Sequence, residues 1–290
     1  MTRRPCWRLA GAGNIGTMAA WYLGRAGHGV RLARPGAARR HKTLFLSTDE
    51  AARSLVLEPP ADDGEPIRHL VLACKTPWNA AVLDALPLAD DVCVLRLQNG
   101  IGDLRAWLPE SARLIETITT NAVKGHDPVH RIMAENQTWM GDGGPRPGWF
   151  ASLADHWPGL AWTTDIRSHQ WAKLVANAAI NPLTALYDVD NGRLLDDPTL
   201  YERLCLITAE ADQLLARLDP TWPGRSQAHV DAVARATAAN TSSMRADVQK
   251  GAITEIAAIN GWLLARAAEL GLDLPANRAV VHALAGRAAD

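Results

Sequence analysis

Three side chains at four-residue spacing, Lys173, Asn177 and Asn181, put one ammonium and two amides on a single helical face. They lie in W-A-K-L-V-A-N-A-A-I-N-P-L-T-A, which begins at Trp171 and ends at Ala185, and almost every residue between them is apolar. A helix facing water scatters Lys, Glu and Arg over its polar side. Here the polar groups form a narrow stripe on a helix that reads as buried. Buried polar groups must be paired with protein or with ligand, so the stripe is a candidate wall of a reaction site. A carbonyl that receives hydride becomes an alkoxide and needs a proton. Lys173 can supply it if burial and neighbours bring its pKa down toward the working pH, and its charge would also polarise the carbonyl. An interdomain salt bridge is the competing structural role. Pro182 is expected to disrupt the helix around the preceding turn and free backbone groups near Asn177 and Asn181 to meet ligand.

A hydride needs a donor, and the first motif of the chain fits one. Gly11-Ala12-Gly13-Asn14-Ile15-Gly16 follows a strand-like run and opens a helix-like one, the context that G-x-G-x-x-G requires. Gly11 permits the tight turn, Gly13 lets the backbone approach a pyrophosphate, and Gly16 allows close helix–strand packing. The helix start, from Asn14 and Ile15 on, offers N–H donors and partial positive charge to phosphate. An NAD site usually carries Asp or Glu at the end of the second strand. This chain has Leu32-Ala33-Arg34, then Arg39 and Arg40, which favours the 2′-phosphate of NADP(H), with Arg34 best placed. Lys75 and Asn99-Gly100 each follow an apolar run, where ligands of a doubly wound sheet sit. A solvated strand end and a tight turn are their plainer readings.

Two other polar segments stand out. Ala239-Asn240-Thr241-Ser242-Ser243-Met244 reads at least as a helix N-cap. Glu255 opens an apolar stretch and reads at least as a first-turn carboxylate complementing a helix dipole.

The elements that must position these groups fall into two halves. Cys6–Ala10, Val30–Ala33, His69–Cys74 and Val92–Leu97 are strand candidates, the last two being the continuous apolar runs of buried parallel strands. Asn14–Arg25 and Asn79–Ala85 read as helices. This β-α-β rhythm implies an α/β domain with a doubly wound parallel sheet. Arg113–Gly141 carries a weaker pattern compatible with antiparallel strands, and Gly141–Gly148 is a loop. From Ser168 on, helical periodicity dominates, over Ser168–Ala185, Thr199–Arg217, Arg225–Ala239, Thr254–Leu270 and Asn277–Gly286. The expected division is a sheet domain over 1–167 and an all-helical domain over 168–290.

Composition narrows the classes. Hydrophobic residues are 48%, charged residues 21% and the net charge is −1, which point to a globular chain with nothing to draw it to nucleic acid or an anionic membrane. No apolar run approaches a membrane span. The basic start M-T-R-R-P-C-W-R-L-A has too short an apolar stretch for a signal peptide, so the expectation is cytoplasmic. Cys6, Cys74, Cys93 and Cys205 are scattered and read as buried thiols; neither they nor the nine His form a metal motif. Eleven Trp against two Phe is odd usage without a functional reading.

In order along the chain, G-A-G-N-I-G, L-A-C-K-T, N-G-I-G, W-A-K-L-V-A-N-A-A-I-N-P-L-T-A-L, N-G, and N-T-S-S-M with T-E-I-A-A-I-N-G resemble the ketopantoate reductase family (2-dehydropantoate 2-reductases). The resemblance spans nearly the whole chain. It implies a Rossmann-type N-terminal domain and a helical C-terminal domain, with NADPH as hydride donor and a small-molecule 2-keto acid as acceptor, in a monomer or homodimer. By motif, Lys173 resembles the general acid and Glu255 the carboxylate that binds the substrate's terminal hydroxyl. Asn177, Asn181 and Asn240 resemble amides that position substrate, and Ser243 a carboxylate-binding hydroxyl. Asn99 and Lys75 resemble cofactor-proximal residues, and Arg34 the 2′-phosphate contact. Asn14 departs from the small residue expected after the second glycine, and Leu186–Asn191 has no match. Members that reduce other branched or aromatic 2-keto acids keep those substrates open. A non-catalytic NADP(H)-binding regulator would have lost the proton donor or the substrate residues, and both are present.

Overall fold

The computed structural model describes residues 4–60 and 64–287, so the chain's first residues, Met1–Arg3, lie outside the described residues. The fold divides into two compact units, one of Met1–Gln98 with Asp103–Ile166, the other of Asn99–Gly102 with Arg167–Asp290.

The first unit begins β1 (Cys6–Ala10), α1 (Asn14–Arg25), β2 (Gly29–Leu32), β3 (Arg40–Leu46), β4 (Asp49–Leu57) and β5 (Ile67–Leu72). It continues α2 (Asn79–Leu83), β6 (Leu88–Arg96), β7 (Arg113–Thr119), β8 (Ala122–His126), β9 (Val129–Ala134), β10 (Thr138–Gly141), α3 (Phe150–Ala154) and β11 (Leu160–Trp162). Among the described residues one sheet runs β11-β10-β7-β6-β5-β1-β2. From β7 to β2 every pairing is parallel, whereas β10 is antiparallel to β7, so the sheet is mixed rather than wholly parallel. Apolar cores cover both faces. Leu9, Val71 and Leu95 pack with α1 and α3, while Leu70, Val94 and Ala33 pack with α2. This two-sided burial is why β5 and β6 read as continuous apolar runs.

A second sheet, β4-β3-β9-β8, contains β8 and β9, an antiparallel pair of the kind expected within Arg113–Gly141, but its strands β3 and β4 were not expected. In β3 the inward residues are Lys42, Leu44 and Leu46. A lysine at a buried position hides the two-residue period, and β4 is largely exposed, so neither strand carried a readable pattern.

The second unit consists of α4 (Ile166–Tyr187), α5 (Arg193–Asp196), α6 (Pro198–Leu218), α7 (Gln227–Ala236), α8 (Ser243–Gln249), α9 (Asn260–Glu269) and α10 (Pro275–Arg287). Residues of α4 are buried on nearly every side, from Trp171 through Leu174, Val175 and Ile180 to Ala185. None of the described helices is long and apolar enough to cross a membrane.

Pro182 does not break α4, contrary to expectation. Its missing N–H leaves the Ala178 carbonyl without its helical donor. The Asn260 side chain fills that role, its Nδ2 donating to Ala178 O at 2.9 Å and to Asn277 Oδ1 at 3.0 Å. Asn277 Nδ2 in turn donates to Glu210 Oε2 at 2.9 Å. Both amides are fully buried. The freed backbone group thus meets protein, not ligand, and four helices are joined by one polar chain. The stretch expected as a helix over Thr254–Leu270 starts late. Glu255 precedes a short 3-10 turn over Ile256–Ala258, and α9 begins at Asn260.

All four cysteines are free, and the reading of them as uniformly buried holds for Cys93 but not for Cys6, exposed at the start of β1.

Three histidines of the first unit are held below their usual pKa of 6.5. Burial is the main cause for each, aided by Arg4 at His28 and by Lys42 at His130. Between that value and their lowered ones, the unfolded chain binds protons that the fold excludes. Stability therefore falls as pH drops below about 6.5, by up to about 1.4 kcal/mol per pH unit for each histidine. Denaturant titrations at pH 7.5 and 5.5 test this; equal midpoints would count against it.

Candidate functional site

The glycine loop has the shape its motif requires. Gly11 has φ +102°, and a Cβ there would lie 2.3 Å from Cys74 N, so only glycine fits. A Cβ at Gly16 would lie 1.8 Å from Gly11 O, which keeps α1 close to the loop. At Gly13 an added Cβ would meet nothing within 4 Å, which leaves room for a ligand at the start of α1. These residues fit a dinucleotide pyrophosphate. Asn14, the departure from the expected small residue, is bonded to His130 Nδ1 through Oδ1 at 2.7 Å.

Arg34 lies two residues past the end of β2 and is exposed, opening a turn in which Ala37 N donates to Arg34 O at 3.1 Å. The two other arginines of this stretch have carboxylate partners, Arg39 with Glu58 at 3.0 Å and Arg40 with Asp127 at 3.3 Å. Lys75 stands just past β5, before a 3-10 turn. Its turn is fixed by Gln98, whose Nε2 donates to Cys74 O at 2.7 Å and to Asn79 Oδ1 at 2.6 Å. Gln98 is a buried polar residue two positions past β6, and an amide after an apolar run is the signal in the sequence that marks it.

The second unit brings together residues far apart in the chain. Lys173 is half-buried on α4. Desolvation lowers its pKa to about 8, against the opposing pull of the Glu255 carboxylate. Asn99 Nδ2 donates to Glu255 Oε2 at 3.3 Å, and the backbone beside it is tied down by Ile101 N donating to Ala258 O at 2.9 Å. Lys173, Glu255 and Asn99 thus form one group, with an ammonium poised to lose a proton near neutral pH.

Asn177 is half-buried and Asn181 buried on the same helix. Of the adjacent serines, Ser242 is structural. It caps α8 by accepting from Arg245 N at 3.1 Å and bonds Thr184 Oγ1 at 2.7 Å, while Ser243 is exposed. The backbone at Asn240 is pinned by Asn191-Gly192. Asn191 N donates to Asn240 O at 3.2 Å and Gly192 N to Ala238 O at 3.0 Å. A Cβ on Gly192 would sit 2.7 Å from that of Ala238, so the contact needs glycine for space. The unmatched segment Leu186–Asn191 also has a role. Asp188 Oδ1 accepts from Arg245 Nε at 2.8 Å, and Asp190 Oδ1 from Arg245 at 2.5 Å, clamping α8. This clamp links residues over fifty positions apart, so spacing could not show it.

A glycine-loop α/β unit, together with a helical unit that carries a depressed-pKa lysine beside a carboxylate, is the equipment of a nicotinamide-dependent reductase. The chain belongs to the ketopantoate reductase family. Residues 7–145 match the family model "Ketopantoate reductase PanE/ApbA" and residues 165–288 its C-terminal model. A 2-dehydropantoate 2-reductase of Vibrio cholerae is 30% identical over 94% of each chain. The structure of a probable 2-dehydropantoate 2-reductase of Bacillus subtilis superposes with a TM-score of 0.81 at 25% identity, covering 98% of this chain and 99% of that one. A D-mandelate dehydrogenase with NADH and anilino(oxo)acetate superposes with a TM-score of 0.83 over 97% of this chain and 98% of that one. At 19% identity it shares the fold alone.

Proposed function

We propose that this protein reduces 2-dehydropantoate to (R)-pantoate with NADPH, the first unit serving the cofactor and the second the substrate. The observation that carries the reading is the Lys173 ammonium, its pKa lowered to about 8 beside Glu255. Bound NADPH supplies a hydride to the C2 carbonyl. Lys173 Nζ polarises that carbonyl and gives its proton to the alkoxide oxygen as it forms. The Glu255 carboxylate accepts a hydrogen bond from the terminal hydroxyl of the substrate, and Asn99 holds Glu255 in place. Ser243 and Asn240 bind the substrate carboxylate, and Asn177 and Asn181 orient the reacting carbon. Gly11, Gly13, Asn14, Ile15 and Gly16 hold the pyrophosphate, Lys75 lies near the cofactor, and Arg34 pairs with the 2′-phosphate.

The test is turnover of a panel of branched, aromatic and hydroxyl-bearing 2-keto acids with NADPH and with NADH. The highest kcat/KM is expected for 2-dehydropantoate with NADPH. Preference for a keto acid without a hydroxyl would move the substrate elsewhere in the family, and binding without turnover of any would mean a regulator. Arg34→Ala is expected to weaken NADPH by about tenfold or more and NADH little, as loss of a charge-assisted bond to one phosphate requires. Equal weakening of both would remove Arg34 from 2′-phosphate recognition.

A further inference from the structure

Lys42 is the largest charged side chain to be fully buried among the described residues. A buried ammonium is costly unless paired, and an apolar residue would fill the same place without that cost. Lys42 pairs with the Asp127 carboxylate, between β8 and β9, and its Nζ also donates to Ala12 O at 2.9 Å. Ala12 is the residue between the first two glycines of the motif. Its carbonyl also accepts from Thr17 Oγ1 at 3.2 Å. Two residues on, Asn14 Oδ1 accepts from His130 Nδ1 at 2.7 Å. His130 is itself buried, on β9. The small sheet thus reaches the glycine loop from behind at two points, one on each side of Gly13, whose own Cβ position opens onto free space.

We propose that Lys42 and His130 are positioning residues for cofactor binding. Lys42 fixes the Ala12 peptide and His130 the Asn14 side chain, so the amide groups around Gly13 stay aimed at the pyrophosphate. The ammonium behind the loop also adds positive potential there, reduced by Asp127. The small sheet is then a brace for the loop. The proposal rests on the reading that this loop binds a nicotinamide dinucleotide.

The two can be separated by direct binding measurements, following quenching of protein fluorescence by NADPH and by NADH. Wild-type protein that binds neither overturns the functional reading. If wild type binds, Lys42→Met is expected to raise the Kd of both cofactors in parallel, by about tenfold or more, because the pyrophosphate is common to both. The value of kcat at saturating cofactor should fall by less than the affinity does. A purely structural role would instead lower the yield of folded protein and leave the Kd of the folded fraction unchanged, and that result overturns the proposal. Weakening of NADPH alone also overturns it, since Lys42 would then be reading the 2′-phosphate. Should Lys42→Met not fold, His130→Phe decides, because it removes the bond to Asn14 while leaving every residue of the glycine loop in place. A Kd raised about threefold or more for both cofactors is expected, and an unchanged Kd overturns the brace.

Discussion

Replacing Lys173 by Met is expected to lower kcat by about 10² or more while leaving NADPH affinity close to that of the wild type. The same variant is expected to be more stable than the wild type at neutral pH. Both results follow from one cause. Burial disfavours the ammonium enough to bring its pKa from 10.5 to about 8. That difference corresponds to on the order of 3 kcal/mol of strain on the fold below pH 8, before allowance for solvent at a half-buried site. Met removes the charge, though it also takes a counter-charge from Glu255. A gain of about 1–2 kcal/mol at pH 7 is the expected net effect.

The pH dependence has a definite sign. Between about 8 and 10.5 the unfolded chain holds a proton that the folded Lys173 has released, so wild-type stability rises through that window and the Met variant lacks the rise. Turnover of the wild type runs the other way. A general acid must be protonated, so kcat/KM is expected to decline above about pH 8. A wild-type rate flat to pH 9.5, or a Met variant with near-normal turnover, would remove Lys173 from proton delivery.

Asn260→Ala is expected to destabilise the second unit by about 3 kcal/mol or more. It strips a donor from the Ala178 carbonyl and from Asn277 in a fully buried place, and each orphaned group costs about 1–3 kcal/mol. Pro182→Ala should partly rescue the loss, because residue 182 regains an N–H for the carbonyl of Ala178. Denaturant unfolding of the two single variants and the double variant gives the coupling, expected at about 1 kcal/mol or more. Strict additivity would show that the Asn260 amide does not substitute for the missing helical donor.

How much of this was legible depended on whether the signal was local. β1 and α1 begin and end where the motif placed them, because glycines and apolar runs act within a few residues. The long helices α4 and α6 were visible from their periodicity. The brace under the loop was not, because Lys42 sits where a strand pattern calls for an apolar residue and its partners Ala12 and Asp127 are distant in sequence. Glu255 was readable as a chemical group, but its turn before α9 was not, since T-E-I-A-A-I-N-G carries helical spacing throughout. Asn260, within the same motif, looked like one more polar residue until its neighbour across the fold was known. Local patterns reveal elements; side chains that join elements appear only with the fold.

For anyone wishing to re-engineer the acceptor range, the anchoring of the segment that carries Asn240 and Ser243 sets the terms. Asn191-Gly192 grips it at one end, with no room for a Cβ, and Arg245 ties it to Asp188 and Asp190 at the other. Loop grafting or insertion there would have to replace both anchors at once. If these residues bind the acceptor as proposed, admitting bulkier acids is a matter of trimming side chains on α4, such as Asn177, with the backbone frame left as it stands.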